Sequence, residues 1–180
     1  MMRTAGLDLS LTSTGVSISG EVSAIRVSSK GVIRLNEISL KIVELFKTNL
    51  VECVAIEGYS FASRNSQAHS IGELGGVVRL RLWEMGVPYV EIPPTSRAKF
   101  ATGRGNAAKN EVVSSVSAKT GLVFSGAGAD DMCDAFLLEE MLRVHLGMGQ
   151  YSWNSTQMSA LDKIDWMPIA CSTTTIEKEN

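Results

Sequence analysis

Few of the residues that staple or anchor small proteins are present. The 180-residue chain holds three cysteines, two histidines and four prolines. Cys53, Cys133 and Cys171 are scattered and odd in number, which excludes a disulfide framework and a zinc-finger spacing. His69 and His145 stand far apart, so no histidine–cysteine cluster offers itself to a soft metal. No apolar run approaches the roughly 20 residues a membrane-spanning helix needs. The stretch Met1–Asp8 lacks the apolar centre and cleavage site of a secretory signal. The expectation is a cytoplasmic protein with no membrane partner.

What is present suits a globular fold. Hydrophobic residues make up 44% and charged residues 20% of the chain, enough to bury a core without staples. The net charge is -2, but it is unevenly spread. Residues 1–78 balance. Residues 79–109 hold six basic side chains against two acidic ones, and residues 110–180 hold ten acidic against four basic. A basic middle facing an acidic last third is a polarised molecule, suited to phosphate on one side.

The hydropathy pattern reads strand–strand–strand–helix–strand–helix–strand–helix, an α/β class with an antiparallel start. Thr4–Leu9 and Val16–Ile18 form a hairpin about Ser13-Thr14-Gly15, and Val22–Val27 is a third strand. Apolar residues at Leu35, Ile38, Ile42, Leu45 and Phe46 predict a helix over 34–50. Val51–Ile56 is a buried parallel strand by its valine-rich run. A helix over 67–85 carries the stripe Ile71, Leu74, Val78 and Leu82, with Gly75-Gly76 in its middle, and is a candidate for core packing or a dimer face. Val87–Ile92 is a strand stopped by Pro93-Pro94. Thr95–Gly105 is a basic segment. Asn106 is a candidate N-cap for a helix to about Lys119, and a last helix runs from Asp130 to Leu146. The domain expected is 1–147, followed by an extension, 148–180, partly packed and then a loose tail.

Four acids sit in awkward places. Asp8 lies inside the first strand, where aspartate is disfavoured and a buried carboxylate must be paired or bind a metal. Glu57 ends the buried strand at its C-terminal edge, where open α/β sheets place their ligands. Asp131 and Asp134 share one face of the last helix, with Ala135-Phe136-Leu137-Leu138 following. Hard divalent cations take such carboxylates together with substrate phosphate. Each acid also has a plainer use: a helix-dipole partner for Asp131, a buried arginine for Glu57, a turn contact for Asp8.

Gly6-Leu7-Asp8-Leu9-Ser10 with Thr14-Gly15 resembles the first hairpin of the RuvC-like Holliday-junction resolvases. Ala55-Ile56-Glu57-Gly58-Tyr59-Ser60-Phe61 resembles their second acidic strand, and Asp130-Asp131-Met132-Cys133-Asp134-Ala135 their closing helix. Lys109, within Gly105-Asn106-Ala107-Ala108-Lys109, resembles the lysine before the penultimate helix. The resemblance spans about residues 4–146. It implies a ribonuclease-H-like fold with a mixed central sheet, and a homodimer that makes paired, Mg²⁺-dependent nicks in four-way DNA junctions, with Mn²⁺ a possible substitute. It implies Asp8, Glu57, Asp131 and Asp134 as ligands of two metal ions and Lys109 beside the scissile phosphate. Lys99 is nearest to a second family lysine, offset by about one residue. The family's stacking phenylalanine falls on Ser60, which leaves Tyr59 or Phe61 for that role. Arg64, Arg97, Lys99, Arg104 and Lys109 are the expected DNA contacts, and Gly103 and Gly105 allow close backbone approach to a phosphate. The compact Gly58–Phe61 stretch looks like phage-type members, which implies a bacterial host cytoplasm.

Other readings stay open. The site would suit a broader fork or flap endonuclease, or a non-catalytic junction-binding protein. An actin-like ATPase also opens with an aspartate and a glycine turn. That class needs two such domains and more chain, and it leaves Asp131 and Asp134 unexplained.

Overall fold

The computed structural model describes residues 2–59 and 66–169, with the backbone alone over 66–70. Three consecutive strands, β1 (Thr4–Asp8), β2 (Thr14–Ile18) and β3 (Glu21–Ile25), form an antiparallel meander. Hydroxyls tie the first hairpin: Thr14 Oγ1 donates to the Ser10 carbonyl at 2.7 Å and accepts from the Ser10 N–H at 3.2 Å. Helix α1 (Gly31–Thr48) leads to β4 (Cys53–Glu57), which lies parallel to β1. Helix α2 (Ser66–Glu84) leads to β5 (Tyr89–Ile92), parallel to β4. The sheet order is β3-β2-β1-β4-β5. Helices α3 (Pro94–Thr102), α4 (Lys109–Thr120) and α5 (Ala129–His145) follow, then the short α6 (Ser155–Met158). This is the expected mixed sheet with an antiparallel start. Among the described residues no helix is long and apolar enough to cross a membrane.

Alternation along the strands gives the sheet two covered faces. Ala5, Leu7, Val54 and Ile56 pack with Ile38, Ile42 and Phe46 of α1 and Leu74, Val78 and Leu82 of α2. Ala55, Val90 and Ile92 pack on the other side with Phe100, Phe136, Leu137 and Met141 of α3 and α5. The apolar stripe of α2 is therefore core over Leu74, Val78 and Leu82, while Gly76 and Leu80 lie on its exposed side.

Two expectations need correction. The basic segment after Pro93-Pro94 is a helix, α3, because Pro94 sits at its first turn, where a missing N–H costs nothing and the fixed φ suits a helix. Helix α4 begins at Lys109 rather than after Asn106. Its N-cap is Ala108, with no side-chain cap.

Residues 148–169 close over α3 and α5. The Trp153 ring lies 4.2 Å from that of Phe100. The Glu140 carboxylate accepts from the backbone N–H of Gln150 and Tyr151 and from the Trp153 indole, at 3.1–3.2 Å. Ala160, Ile164 and Ile169 join the core on that side.

At Gly6 and Gly15, helix α5 lies against β1 and β2 with no side chain between. A Cβ on Gly6 would sit 2.6 Å from the Glu139 nitrogen and nearer still to the Ala135 carbonyl oxygen. One on Gly15 would sit 2.5 Å from the Asp131 carbonyl carbon. Only glycine permits this approach. It also brings Glu139 over the sheet, where its carboxylate accepts from the hydroxyls of Thr4 at 2.7 Å and Ser17 at 2.6 Å. The result is that the first turns of α5 hang over the end of β1.

Candidate active site

The pairing of β1 with β4 aligns Leu7 with Ile56. Continued by one residue, that register sets Asp8 beside Glu57, both on the face that α5 covers. Asp134 is buried in α5 and Asp131 half-buried one turn earlier. Three chain segments more than forty residues apart thus bring their acids to the C-terminal ends of β1 and β4, where Asp8 lies within reach of the charges of Glu57, Asp134 and Asp131.

A cation lies among them. Arg97 of α3 donates from Nε to Glu57 Oε1 at 2.6 Å and from its terminal nitrogen to Asp134 Oδ1. Only 9% of its side chain is exposed. As expected of a plainer use, Glu57 does pair with a buried arginine. In this DNA-free structure Arg97 is buried and held by two carboxylates. Its burial follows from its place in α3, which packs against α4, α5 and α6. Lys99 stands about 200° further round the helix, facing away from the acids, and is half-buried.

The electrostatics record crowding of like charges. Burial, then the charges of Glu57 and Asp134, push the Asp8 carboxyl well above its usual range, against the pull of Arg97. Burial pushes Asp134 up to about 6, again against Arg97. Asp131 is raised by burial, less so because the Ser13 hydroxyl and the Lys109 and Arg26 charges stand near it. The buried Ser13 hydroxyl has no hydrogen-bond partner among the described residues.

Lys109, first residue of α4, donates to Asp130 Oδ2 at 2.9 Å, and both are largely exposed. Burial weakens its hold on its proton, but that bond and the charges of Asp130, Asp134 and Asp8 raise its pKa on balance. Arg104, also exposed, pairs with Glu111. Tyr59 is less free than expected of a stacking residue. Its hydroxyl donates to the Gly72 carbonyl at 3.2 Å, and Arg79 both bonds that hydroxyl at 2.8 Å and lies over the ring. Phe61 and Arg64 lie outside the described residues. Two groups at the site escaped the sequence reading: Arg26, just after β3 and beside Asp131, and Ser13. Both are brought there only by the docking of α5.

This donor set fits a hard divalent cation: four carboxylates and, among the described residues, no imidazole beside them. Yet no three of these acids, as their side chains stand, are close enough to share an ion among the described residues. Arg97 holds two of them.

The family model for the crossover junction endodeoxyribonuclease RuvC matches residues 5–138. The chain belongs to the RuvC family. A RuvC of Sorangium cellulosum is 34% identical over 85 residues, 47% of this chain and 48% of that protein. A RuvC of Prochlorococcus marinus strain NATL2A is 28% identical over 148 residues, 76% of this chain and 95% of that one. The chain thus spans about half the Sorangium protein and nearly all of the Prochlorococcus one. Among solved structures, Thermus thermophilus RuvC in complex with a Holliday junction substrate superposes with a TM-score of 0.66 at 24% identity, over 84% of this chain and all of that one. The fold is that of the RuvC family, ribonuclease-H-like, and the family's nucleases depend on divalent metal. The acids of β1, β4 and α5 all fall within the matched span.

Proposed function

We propose that this chain is a structure-specific endodeoxyribonuclease that resolves four-way DNA junctions by paired nicks, as a homodimer, with two Mg²⁺ ions per site. The observation that carries this reading is the meeting of Asp8, Glu57, Asp131 and Asp134 at one end of the sheet, set by the β1–β4 register and the Gly6 and Gly15 contacts with α5. A bacterial cytoplasm is the setting it implies. The relatives named above are bacterial, and the phage-type resemblance rests on Gly58–Phe61 alone.

The chain's own groups divide the work. Asp8, Glu57, Asp131 and Asp134 would hold the metal, which would supply an activated water and charge stabilisation for the leaving 3′ oxygen, giving products with 5′-phosphate and 3′-hydroxyl ends. Lys109, exposed and near Asp134 and Asp8, neutralises charge that builds on the phosphate during attack. Arg104, between Gly103 and Gly105, and Lys99 bind flanking phosphates, and Arg26 guides the strand past Asp131. The exposed side of α2, with Gly76 and Leu80, meets its copy about a twofold axis, so that two sites face two strands. Phe61 is left as the residue for stacking, because Tyr59 is tied to α2.

Cleavage of a labelled four-way junction, a Y-fork and a linear duplex, in Mg²⁺ and in chelator, tests this. Metal-dependent cutting of the junction that vanishes in Asp8→Asn supports it. Equal cutting of forks widens it to a branched-DNA nuclease. Tight junction binding without cutting in any metal replaces it with a junction-binding protein.

A further inference from the structure

Arg97 does two things that a DNA contact on the surface does not. It binds Glu57 and Asp134 at once from a buried position. While it does so, the acids around it do not converge on a common point.

We propose that Arg97 is a resident counter-cation of the metal site, which must release Glu57 or Asp134 before a divalent ion can be held there. The inference rests on the reading of the four acids as metal ligands. A lysine in this place would be able to vacate it by losing its proton; an arginine leaves only by moving. A guanidinium and a divalent ion that share two carboxylates also repel each other at short range, more strongly in a cleft than in water. The movement belongs to the side chain, since α3 is anchored: Phe100 stacks on Trp153, and Gln157 Nε2 donates to the Ala101 carbonyl at 2.9 Å. Once free, the guanidinium needs another anion, and its planar fork matches a phosphodiester. Metal and DNA therefore bind cooperatively: each takes one of the partners that the closed arrangement sets against each other. The free protein keeps a weak metal site and the DNA complex a strong one.

Calorimetric titration of the DNA-free protein with Ca²⁺ tests this without any cleavage, alongside melting in chelator. Arg97→Gln is expected to bind Ca²⁺ about tenfold or more tightly than wild type, a gain of one decade in Kd. It is also expected to melt lower in chelator and to regain that loss when Ca²⁺ is added. Arg97→Lys, whose ammonium can give up its proton as the metal enters, is expected to bind Ca²⁺ with an affinity between those of wild type and Arg97→Gln. A folded Arg97→Gln that binds Ca²⁺ no more tightly than wild type overturns the proposal and makes Arg97 a fixed support for the two acids. Asp8→Asn separates the two levels: if it binds Ca²⁺ as wild type does, the metal-site reading fails with it.

Discussion

Gly6 of β1 meets Ala135 of α5 backbone to backbone, with no room for a Cβ between them. The contact sets how closely α5 approaches the sheet, and so where Asp131 and Asp134 stand relative to Asp8. Gly6→Ala forces the helix outward. Overpacking of this kind costs about 1–3 kcal/mol, and here rigid backbone must give way, which places the cost at the upper end. A urea titration is expected to show a lower midpoint and cleavage to be lost with it. An unchanged midpoint would mean the helix is free to shift.

Lys109 separates activity from stability. Its ion pair with Asp130 is largely exposed and contributes little to folding. Lys109→Ala is expected to melt within about a degree or two of wild type, while junction cleavage falls by about 100-fold or more. An equal loss of both would make it a structural residue.

Asp134 makes the metal-free protein sensitive to pH. Its folded pKa, about 6, lies above the usual aspartate value of 3.8. The folded state therefore holds this proton more tightly than the unfolded one. Stability from this group is least above about pH 6 and rises as pH falls toward 4. His145, whose pKa burial lowers, acts in the opposite sense over part of the same range. The difference between wild type and Asp134→Asn removes the His145 contribution and reads Asp134 together with its effect on Asp8. In chelator, wild type is expected to gain stability relative to the variant as pH drops from about 7.5 to about 5. Parallel curves would contradict the assignment.

How much of this was legible beforehand differs by element. The strands and α5 announced themselves because Asp8, Glu57 and the Asp131–Asp134 pair interrupt runs whose periodicity is otherwise clear. Helix α3 did not, because Pro93-Pro94 reads as a stop, while Pro94 in place opens a helix. Arg97 then looked like one more residue of a basic stretch. Its meeting with Glu57 and Asp134 joins segments 40 and 37 residues apart, and no local spacing encodes that. The same holds for Ser13 and Arg26 beside α5, and for the pinning of Tyr59 by Arg79.

Glu140 fastens the segment after α5. Glu140→Ala leaves the N–H groups of Gln150 and Tyr151 and the Trp153 indole without their acceptor. Unmade bonds of that kind cost about 1–3 kcal/mol. Limited trypsin digestion is expected to cut the variant at Lys163 well before wild type. Equal rates would show that Trp153 and the apolar contacts suffice.

In the proposed reaction the site built from Asp8, Glu57, Asp131 and Asp134 would cut opposed strands of a junction in one event. The most direct measurement is the product from a supercoiled plasmid carrying an extruded cruciform, incubated with Mg²⁺. Paired nicks predict linear plasmid from the wild type and intact supercoil from Asp8→Asn. Nicked circles alone, or linear product that survives the Asp8 substitution, would contradict the account.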